Sequence, residues 1–203
     1  MTTYTKLIHT LIDEYVLKTA VIQSAFLNIE RQYFIHAENT SYTGNDTPIS
    51  IGFGQTNSQP RTVVMMLEWL QPQPGQSILD IGCGSGWTSG LLGYIVGISG
   101  NIFGLERIPE LTQFATQNIA RFNMPNVTIQ LATRHLGLPG QRFDRILVSA
   151  AAEERPEELL DQLNPNGIMV IPVNNDILLI KKDNQGVCHQ QTFSGFRFVP
   201  LIY

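Results

Sequence analysis

A ten-residue stretch, Ile78–Trp87, carries the strongest chemical signal in the chain. Its apolar residues surround Asp80, and glycine then occupies every second position before an amphipathic segment begins. Because glycine has no Cβ, the backbone N–H groups of such a loop can approach a ligand closely. The loop residues that we expect to contact a ligand are Gly82, Cys83, Gly84, Ser85 and Gly86. The pattern predicts a strand, a binding loop and a helix.

A second acidic residue follows the next apolar run. Residues 102–105 are apolar, and Glu106 comes directly after them. A carboxylate at the end of the second strand of such a unit can accept hydrogen bonds from ribose hydroxyls. Together, the glycine loop and Glu106 predict the adenosine-binding half of a Rossmann-like fold.

The spacing of the glycines favours one adenosine cofactor over another. A dinucleotide fingerprint requires Gly-x-Gly-x-x-Gly, but Gly82, Gly84 and Gly86 leave its third position unfilled. S-adenosyl-L-methionine has no pyrophosphate, and Asp80 could favour its cationic end while loop N–H groups bind its carboxylate. We favour the methyl donor; a dinucleotide, or a glycine turn that binds nothing, are the alternatives.

The chain offers little for acid–base or metal chemistry. Its four histidines are scattered, and none stands at metal-ligand spacing, so we expect no metal. Methyl transfer to a carboxylate needs no general base, since that acceptor, with a reference pKa of about 4, is ionised at neutral pH. Ser58 is the polar residue best suited to orient such an acceptor; a helix N-cap or N′ role ahead of Pro60 is the alternative. The cationic residues that we expect to be solvated surface charges are Arg31, Arg61 and Arg107.

Composition indicates one cytoplasmic domain. The chain has 203 residues, 17 acidic and 13 basic, and a formal net charge of −4, which argues against a nucleic-acid-binding surface. No apolar run approaches the ~20 residues that cross a bilayer, so we expect no membrane partner. With two cysteines, Cys83 and Cys188, a structural disulfide is not expected.

The periodicity of the chain predicts the elements that position these residues. Two helices open it, with Thr19 as a candidate cap of the second, and regular periodicity is absent over residues 31–59. Strands and helices then alternate, which predicts an α/β fold with a doubly wound, mostly parallel sheet. The predicted elements after the glycine loop are helix 87–96, strand 101–105, a helix from Pro109, strands 127–131 and 145–149, a helix from Pro156 that includes Leu163, strand 168–172, and a C-terminal antiparallel edge of 177–180 and 193–201.

Several blocks, in this order and spacing, resemble the protein-L-isoaspartate O-methyltransferase family over essentially the whole chain. They are Leu17–Thr19 with Ala25–Phe26, Arg31 with Phe34, Tyr42 with Asp46, Pro48 and Ile49, Ile51–Pro60, Glu106–Leu111, Ala150–Ala152, Leu163–Pro172 and Phe198–Leu201. The resemblance implies a class I methyltransferase that uses S-adenosyl-L-methionine to methylate L-isoaspartyl carboxylates of damaged proteins. The ester then collapses to a succinimide that can reopen to normal aspartate, so the reaction serves repair.

The resemblance also assigns residues to the site. It implies that Ser58 is the active-site serine, and that residues 1–59 form a helical lead-in and substrate-side loop before a Rossmann-like core of 60–203. The further cofactor-binding residues that it implies are Gln55, Thr56, Asn57, Arg107, Thr133 and Arg134. We expect a monomer whose partners are isoaspartyl-containing proteins or peptides.

Two departures from the family pattern keep a different substrate or weakened catalysis open as the alternative. Asn57 replaces an aliphatic residue beside the serine. Residues 132–134, Ala-Thr-Arg, replace a Gly-Asp-Gly whose aspartate accepts from the adenine amino group. A threonine hydroxyl is a weaker acceptor than a carboxylate. The sequence therefore predicts weak cofactor binding that Thr133→Asp would tighten by about 1 kcal/mol.

Overall fold

The computed structural model describes residues 2–203 and contains six α-helices and nine strands within them. The helices are α1 Thr3–Asp13, α2 Ala20–Asn28, α3 Pro60–Leu70, α4 Trp87–Val96, α5 Pro109–Ala120 and α6 Glu157–Asp161. The strands are β1 Ile49–Gly52, β2 Gln55–Asn57, β3 Ser77–Ile81, β4 Asn101–Glu106, β5 Val127–Leu131, β6 Phe143–Val148, β7 Leu163–Val173, β8 Asp176–Lys182 and β9 Cys188–Ser194. Two 3₁₀ turns, Arg31–Phe34 and Ala37–Tyr42, precede β1.

Seven strands form one sheet in the order β5-β4-β3-β6-β7-β8-β9. Strands β3 to β7 pair in parallel, and β8 pairs antiparallel with both β7 and β9. The α/β fold with a mostly parallel sheet and an antiparallel C-terminal edge is confirmed. The chain order reverses between β3 and β6, and ligands of open α/β sheets bind at the carboxyl ends of strands beside such a point.

The central strands are apolar on both faces because helices cover both. In β3, Ile78 packs in a cluster with α1 to α4, and its neighbour Leu79 packs in a second cluster on the opposite face with α6. Both side chains are fully buried. This alternation follows from the two-residue period of a strand. It fixes the register that brings the ends of β3, β4 and β6 together.

Two predicted boundaries were wrong. Leu163 does not continue α6; it begins β7 and pairs with Phe143 of β6, and Gln162 ends the helix. The second strand of the C-terminal hairpin is β9, Cys188–Ser194, rather than residues 193–201.

The hairpin ends early because another part of the chain binds the residues that follow it. The N–H groups of Gly195 and Phe196 donate to the Asn175 carbonyl. The chain then runs beside Ala151, whose N–H donates to Val199 and whose carbonyl accepts from Leu201. No helix within residues 2–203 is long and apolar enough to cross a membrane.

Candidate functional site

The glycine loop joins β3 to α4 under the hairpin formed by β1 and β2. Gly82, Gly84 and Gly86 all have positive φ, of 71°, 56° and 88°, which favours glycine. A Cβ on Gly86 would lie 3.1 Å from the Cβ of Ala115 on α5, and one on Gly84 would lie 3.2 Å from Ile51 Cδ1 of the hairpin. The loop is therefore held close to both elements. Gly82, Cys83, Gly84 and Ser85 line a cleft at this edge of the sheet, whereas Gly86, which was also expected to contact a ligand, packs against α5 outside the lining.

Glu106 ends β4 at the side of the glycine loop and lines the same cleft. Its Oε2 accepts from the Gly84 N–H at 3.0 Å, and its Oε1 accepts from the Ile108 N–H at 2.9 Å. Each oxygen has a second lone-pair direction for a ligand. The carboxylate therefore both fixes the loop and faces the cleft.

Asp80 lies beneath the loop and is absent from the cleft lining. Its Oδ2 accepts from the hydroxyls of Thr88 at 2.7 Å and Ser89 at 2.6 Å, while its buried Oδ1 has no partner within the described chain. Burial raises the pKa of Asp80 to about 6, although the two hydroxyl bonds oppose this shift. Asp80 therefore connects β3 to α4, whereas its position in the sequence had suggested that it contacts a ligand.

Ser58 lies between β2 and α3, where two cavities meet. It lines both the cleft and a second cavity beside it, as do Thr56, Ser149 and Val199. The N-cap of α3 is Gln59, so Ser58 occupies the N′ position, and its hydroxyl makes no capping bond. The serine side chain thus stays available to a ligand in either cavity.

Arg31 binds two residues of the cleft lining, Asn57 and Ser58, contacts that the sequence interpretation missed. It is fully buried rather than solvated, and its guanidinium stacks over Trp87 at 5.5 Å from the ring centroid. Its Nε donates to Asn57 Oδ1, and its terminal nitrogens donate to the carbonyls of residues 45, 47, 57 and 58 at 2.8–3.1 Å. Burial lowers the pKa of Arg31 to about 10, so it remains charged at neutral pH. One cation therefore fixes the backbone on both sides of the hairpin.

Arg61 also differs from the expectation of a free surface charge. It forms ion pairs with Glu14 at 2.7 Å and Asp46 at 2.8 Å, and these two bonds raise its pKa. Arg107 is exposed and lines the cleft. The hairpin residues expected at the site, Gln55, Thr56 and Asn57, line the cleft as well.

In the loop after β5, the residues that line the cleft differ from the two that the sequence predicted, Thr133 and Arg134. Thr133 and Arg134 are exposed and outside the cleft lining, and the Thr133 hydroxyl accepts from the His135 N–H at 3.2 Å. Ala132, His135, Leu136 and Gly137 line the cleft in their place. A Cβ on Gly137 would collide with Gln162 Oε1, whose side chain also binds the Leu138 N–H and the Leu136 carbonyl. Gln162 therefore shapes this wall.

Ile81, Trp87, Thr88 and Leu105, beside the glycine loop and Glu106, also line the cleft, and the rest of the wall comes from residues with no local sequence signal for a site. They are Val63, Ser149, Ala150 and residues 199–203. The family resemblance of the Ala150–Ala152 block and the closing Phe198–Leu201 block could have identified Ala150 and residues 199–201, and no signal pointed to the others. Within residues 2–203, no group of three or more histidine, cysteine, aspartate or glutamate side chains could hold a metal ion.

Comparison with known proteins identifies the family. The sequence profile of protein-L-isoaspartate(D-aspartate) O-methyltransferase matches residues 2–203. The chain belongs to this family. It is 38% identical over 197 residues to the protein-L-isoaspartate O-methyltransferase of Methanosarcina mazei, covering 94% of this chain and 80% of that one. It is 36% identical over 195 residues to the one of Pyrococcus horikoshii, covering 93% and 88%.

Solved structures of the same family have the same fold. A protein-L-isoaspartate O-methyltransferase structure, 26% identical, superposes with a TM-score of 0.87 over 98% of this chain and 65% of that one. A Plasmodium falciparum structure described as a family member, solved in complex with S-adenosyl-L-homocysteine, is 24% identical. It superposes with a TM-score of 0.85 over 99% of both chains. The expectation of a class I methyltransferase fold is confirmed.

Proposed function

We propose that this chain transfers the methyl group of S-adenosyl-L-methionine to the carboxylate of L-isoaspartyl residues in damaged proteins, for repair. Family membership over residues 2–203 supports this activity. The observation that carries the proposal at the site is the position of Ser58 at the junction of two cavities. One cavity has the glycine loop and Glu106, and the other has room for an acceptor chain. A methyltransferase that joins a small cofactor to a protein substrate needs this arrangement.

The residues of the cleft fit this cofactor. When bound, S-adenosyl-L-methionine supplies an electrophilic methyl group carried by a sulfonium. Glu106 is a buried carboxylate with free lone pairs on the cleft wall, as ribose hydroxyls require. Gly84 lines the cleft without a side chain, and a Cβ there would lie 3.2 Å from Ile51 Cδ1, so the loop backbone itself faces the cleft. The other residues that we propose to hold the cofactor are Gln55, Thr56, Asn57, Gly82, Cys83, Ser85 and Arg107. Asp80 and Gly86 support the loop from outside the lining, through Thr88 and Ser89 and through α5, whereas Thr133 and Arg134 are exposed outside it.

Ser58 is the residue that we propose to orient the acceptor. An isoaspartyl carboxylate is already ionised at neutral pH, so its own oxygen is the nucleophile and no proton has to be removed. The Ser58 hydroxyl donates a hydrogen bond to that carboxylate and holds it, without forming a covalent intermediate. Arg31 fixes the Ser58 carbonyl at 2.8 Å, which restricts where the hydroxyl can point. Orientation of this kind can supply several kcal/mol of the barrier.

The second cavity supports a protein rather than a small-molecule acceptor. Its wall combines apolar side chains, such as Met65 and Phe196, with two arginines, Arg61 and Arg197. Arg61 is paired with carboxylates, while Arg197 is exposed and has no side-chain hydrogen bond within residues 2–203. Apolar side chains beside a free arginine suit an extended peptide on either side of the modified, acidic residue.

A methyl-ester assay tests the proposal. The purified chain is incubated with methyl-labelled cofactor and a peptide that contains one L-isoaspartyl residue, and the control is the same peptide with normal aspartate. We expect base-labile label on the isoaspartyl peptide and background label on its control. Equal labelling of both peptides would indicate a different substrate, and label on neither would indicate lost catalysis.

The setting of this activity is also part of the proposal. We propose that residues 1–203 act as one domain, as a monomer in the cytoplasm, with isoaspartyl proteins or peptides as partners and without nucleic acid or membrane. The net charge of −4 supports the lack of a nucleic-acid partner, since phosphate binding requires a basic surface.

A further inference from the structure

Asn57 connects the acceptor side of the site to the glycine loop. Its side chain is buried between Arg31 and Ser85. Asn57 Oδ1 accepts from Arg31 Nε at 2.7 Å, and Asn57 Nδ2 donates to Ser85 Oγ at 3.2 Å. Ser85 is held from its other side by Asn118, whose Nδ2 donates to the Ser85 carbonyl at 3.0 Å. The three side chains, Arg31, Asn57 and Ser85, form one chain of hydrogen bonds that ends at the cleft.

The direction of these hydrogen bonds is fixed by chemistry. A guanidinium has donors and no acceptor, so the oxygen of the Asn57 amide has to face Arg31. The amide nitrogen therefore has to face Ser85, and the Ser85 hydroxyl has to accept from it. The proton of that hydroxyl is then free for another partner. No acceptor for it occurs among the side chains and carbonyls of residues 2–203, and Ser85 lines the cleft.

We propose that Asn57 is a positioning residue that makes the Ser85 hydroxyl a hydrogen-bond donor to the carboxylate of the bound cofactor. The inference rests on the proposed function, because it takes a ligand with a carboxylate to occupy this cleft. Arg31 fixes the orientation of the Asn57 amide, the amide fixes the orientation of the Ser85 hydroxyl, and the hydroxyl donates to the ligand carboxylate. The same guanidinium holds the Ser58 carbonyl, so one buried cation orients two residues of the cleft lining, Ser58 and, through Asn57, Ser85.

The decisive variant is Asn57→Asp, studied by calorimetry with two ligands. The introduced carboxylate would keep an acceptor for Arg31 but has no donor, so the Ser85 hydroxyl turns and donates to that carboxylate instead. We expect binding of S-adenosyl-L-homocysteine to weaken about tenfold. Binding of 5′-methylthioadenosine, which lacks the carboxylate, should change less than twofold. The thermal midpoint should not fall, because Arg31 retains its partner.

The added charge of the variant needs its own control, since it could repel the ligand directly. In a Ser85→Ala background, the Asn57→Asp change should have little further effect on S-adenosyl-L-homocysteine binding, because the hydroxyl that it acts through is gone. Additive losses would mean direct repulsion and would overturn the proposal. If Asn57→Asp fails to fold, Ser85→Ala alone decides between the two ligands: equal losses for both overturn the proposal, and a loss for S-adenosyl-L-homocysteine alone supports it.

These measurements separate the inference from the proposed function. A chain that binds S-adenosyl-L-homocysteine but methylates no isoaspartyl peptide would contradict the proposed function while the ligand comparison still tests Asn57. A chain that methylates isoaspartyl peptides, with variants that bind both ligands as tightly as the wild type, would overturn the inference alone. A wild-type chain that binds no S-adenosyl-L-homocysteine would overturn both.

Discussion

Two regions of the site each contain a buried charged side chain without an ion pair among the described residues: Arg31 at the acceptor side, residues 43–58, and Asp80 at the glycine loop. Different hydrogen bonds compensate the two charges. Arg31 makes five hydrogen bonds, four of them to backbone carbonyls of a segment with little regular structure. Asp80 accepts two hydroxyl bonds on one oxygen and none on the other. Arg31 therefore stays charged near neutral pH, whereas the pKa of Asp80 is raised to about 6.

The difference reflects what each region has to hold. The glycine loop is positioned by the ends of β3 and β4, whose N–H and carbonyl groups already pair in the sheet. Outside the short β1–β2 hairpin, residues 43–58 have few such backbone pairs. Side-chain donors therefore have to form hydrogen bonds with their carbonyls. A cation with donors in several directions can do this, and a single carboxylate cannot. The site thus combines a half fixed by backbone register with a half fixed by one side chain.

Removing the cation should break the acceptor side. In Arg31→Met, four carbonyls and the Asn57 amide lose a buried donor, so we expect the free energy of unfolding to fall by roughly 3–5 kcal/mol. Urea denaturation measures this loss. Arg121→Met, at an exposed position, is the control and should stay within about 0.5 kcal/mol of the wild type. A loss below about 1 kcal/mol for Arg31→Met would mean that residues 43–58 keep their conformation without the Arg31 hydrogen bonds.

The carboxyl group of Asp80, beneath the glycine loop, should make the stability of the folded chain depend on pH. Because the folded-state pKa of Asp80 is raised above its ordinary value of 3.8, the folded chain binds this proton more tightly than the unfolded chain. Its contribution is therefore present below about pH 4 and is lost as pH rises through about 6. We expect the stability of the wild type relative to Asp80→Asn to fall by roughly 2–3 kcal/mol between about pH 4 and pH 7. Denaturation of both proteins across this range would contradict the shift if their difference stayed constant.

Replacing Ser58 should affect catalysis and leave folding unchanged. Its hydroxyl caps no helix and makes no protein hydrogen bond in the described chain, so Ser58→Ala should leave stability and S-adenosyl-L-homocysteine affinity nearly unchanged. Loss of one orienting bond should lower methyl transfer by roughly 1–3 kcal/mol. Steady-state kinetics on an isoaspartyl peptide measures this, with Ser99→Ala, at an exposed remote position, as the control. Equal rates for Ser58→Ala and wild type would remove Ser58 from the acceptor site.

The smallest effect is expected at Thr133, where the structure revises the prediction from sequence. Its side chain is exposed, outside the cleft lining, and bonded to the His135 N–H. We therefore expect Thr133→Asp to change S-adenosyl-L-homocysteine affinity less than twofold in titration calorimetry. A gain near fivefold would return this position to the adenine site and favour the sequence-based prediction.

The sequence predicted most of the fold and that the glycine loop and Glu106 lie together. The glycine spacing and the acid after residues 102–105 predicted the loop and Glu106, which lie together at the switch point of the sheet. The prediction failed at Asp80, where an acid before a glycine loop suggested a ligand contact and the side chain instead binds Thr88 and Ser89. The strand period places Asp80 on one face of β3, but the sequence does not say whether that face meets a ligand or a helix.

What the sequence determined by itself is local: alternating apolar residues that make strands, and glycines whose positive φ lets the chain turn sharply between β3 and α4. These features depend on residues adjacent in the chain. The burial of Arg31 was decided by tertiary structure, because its acceptors lie 14 to 27 residues away and meet only when β1 and β2 fold over the glycine loop. An isolated arginine is predicted to be exposed because burying its charge is costly. It becomes a core residue here since distant carbonyls replace the water that it loses.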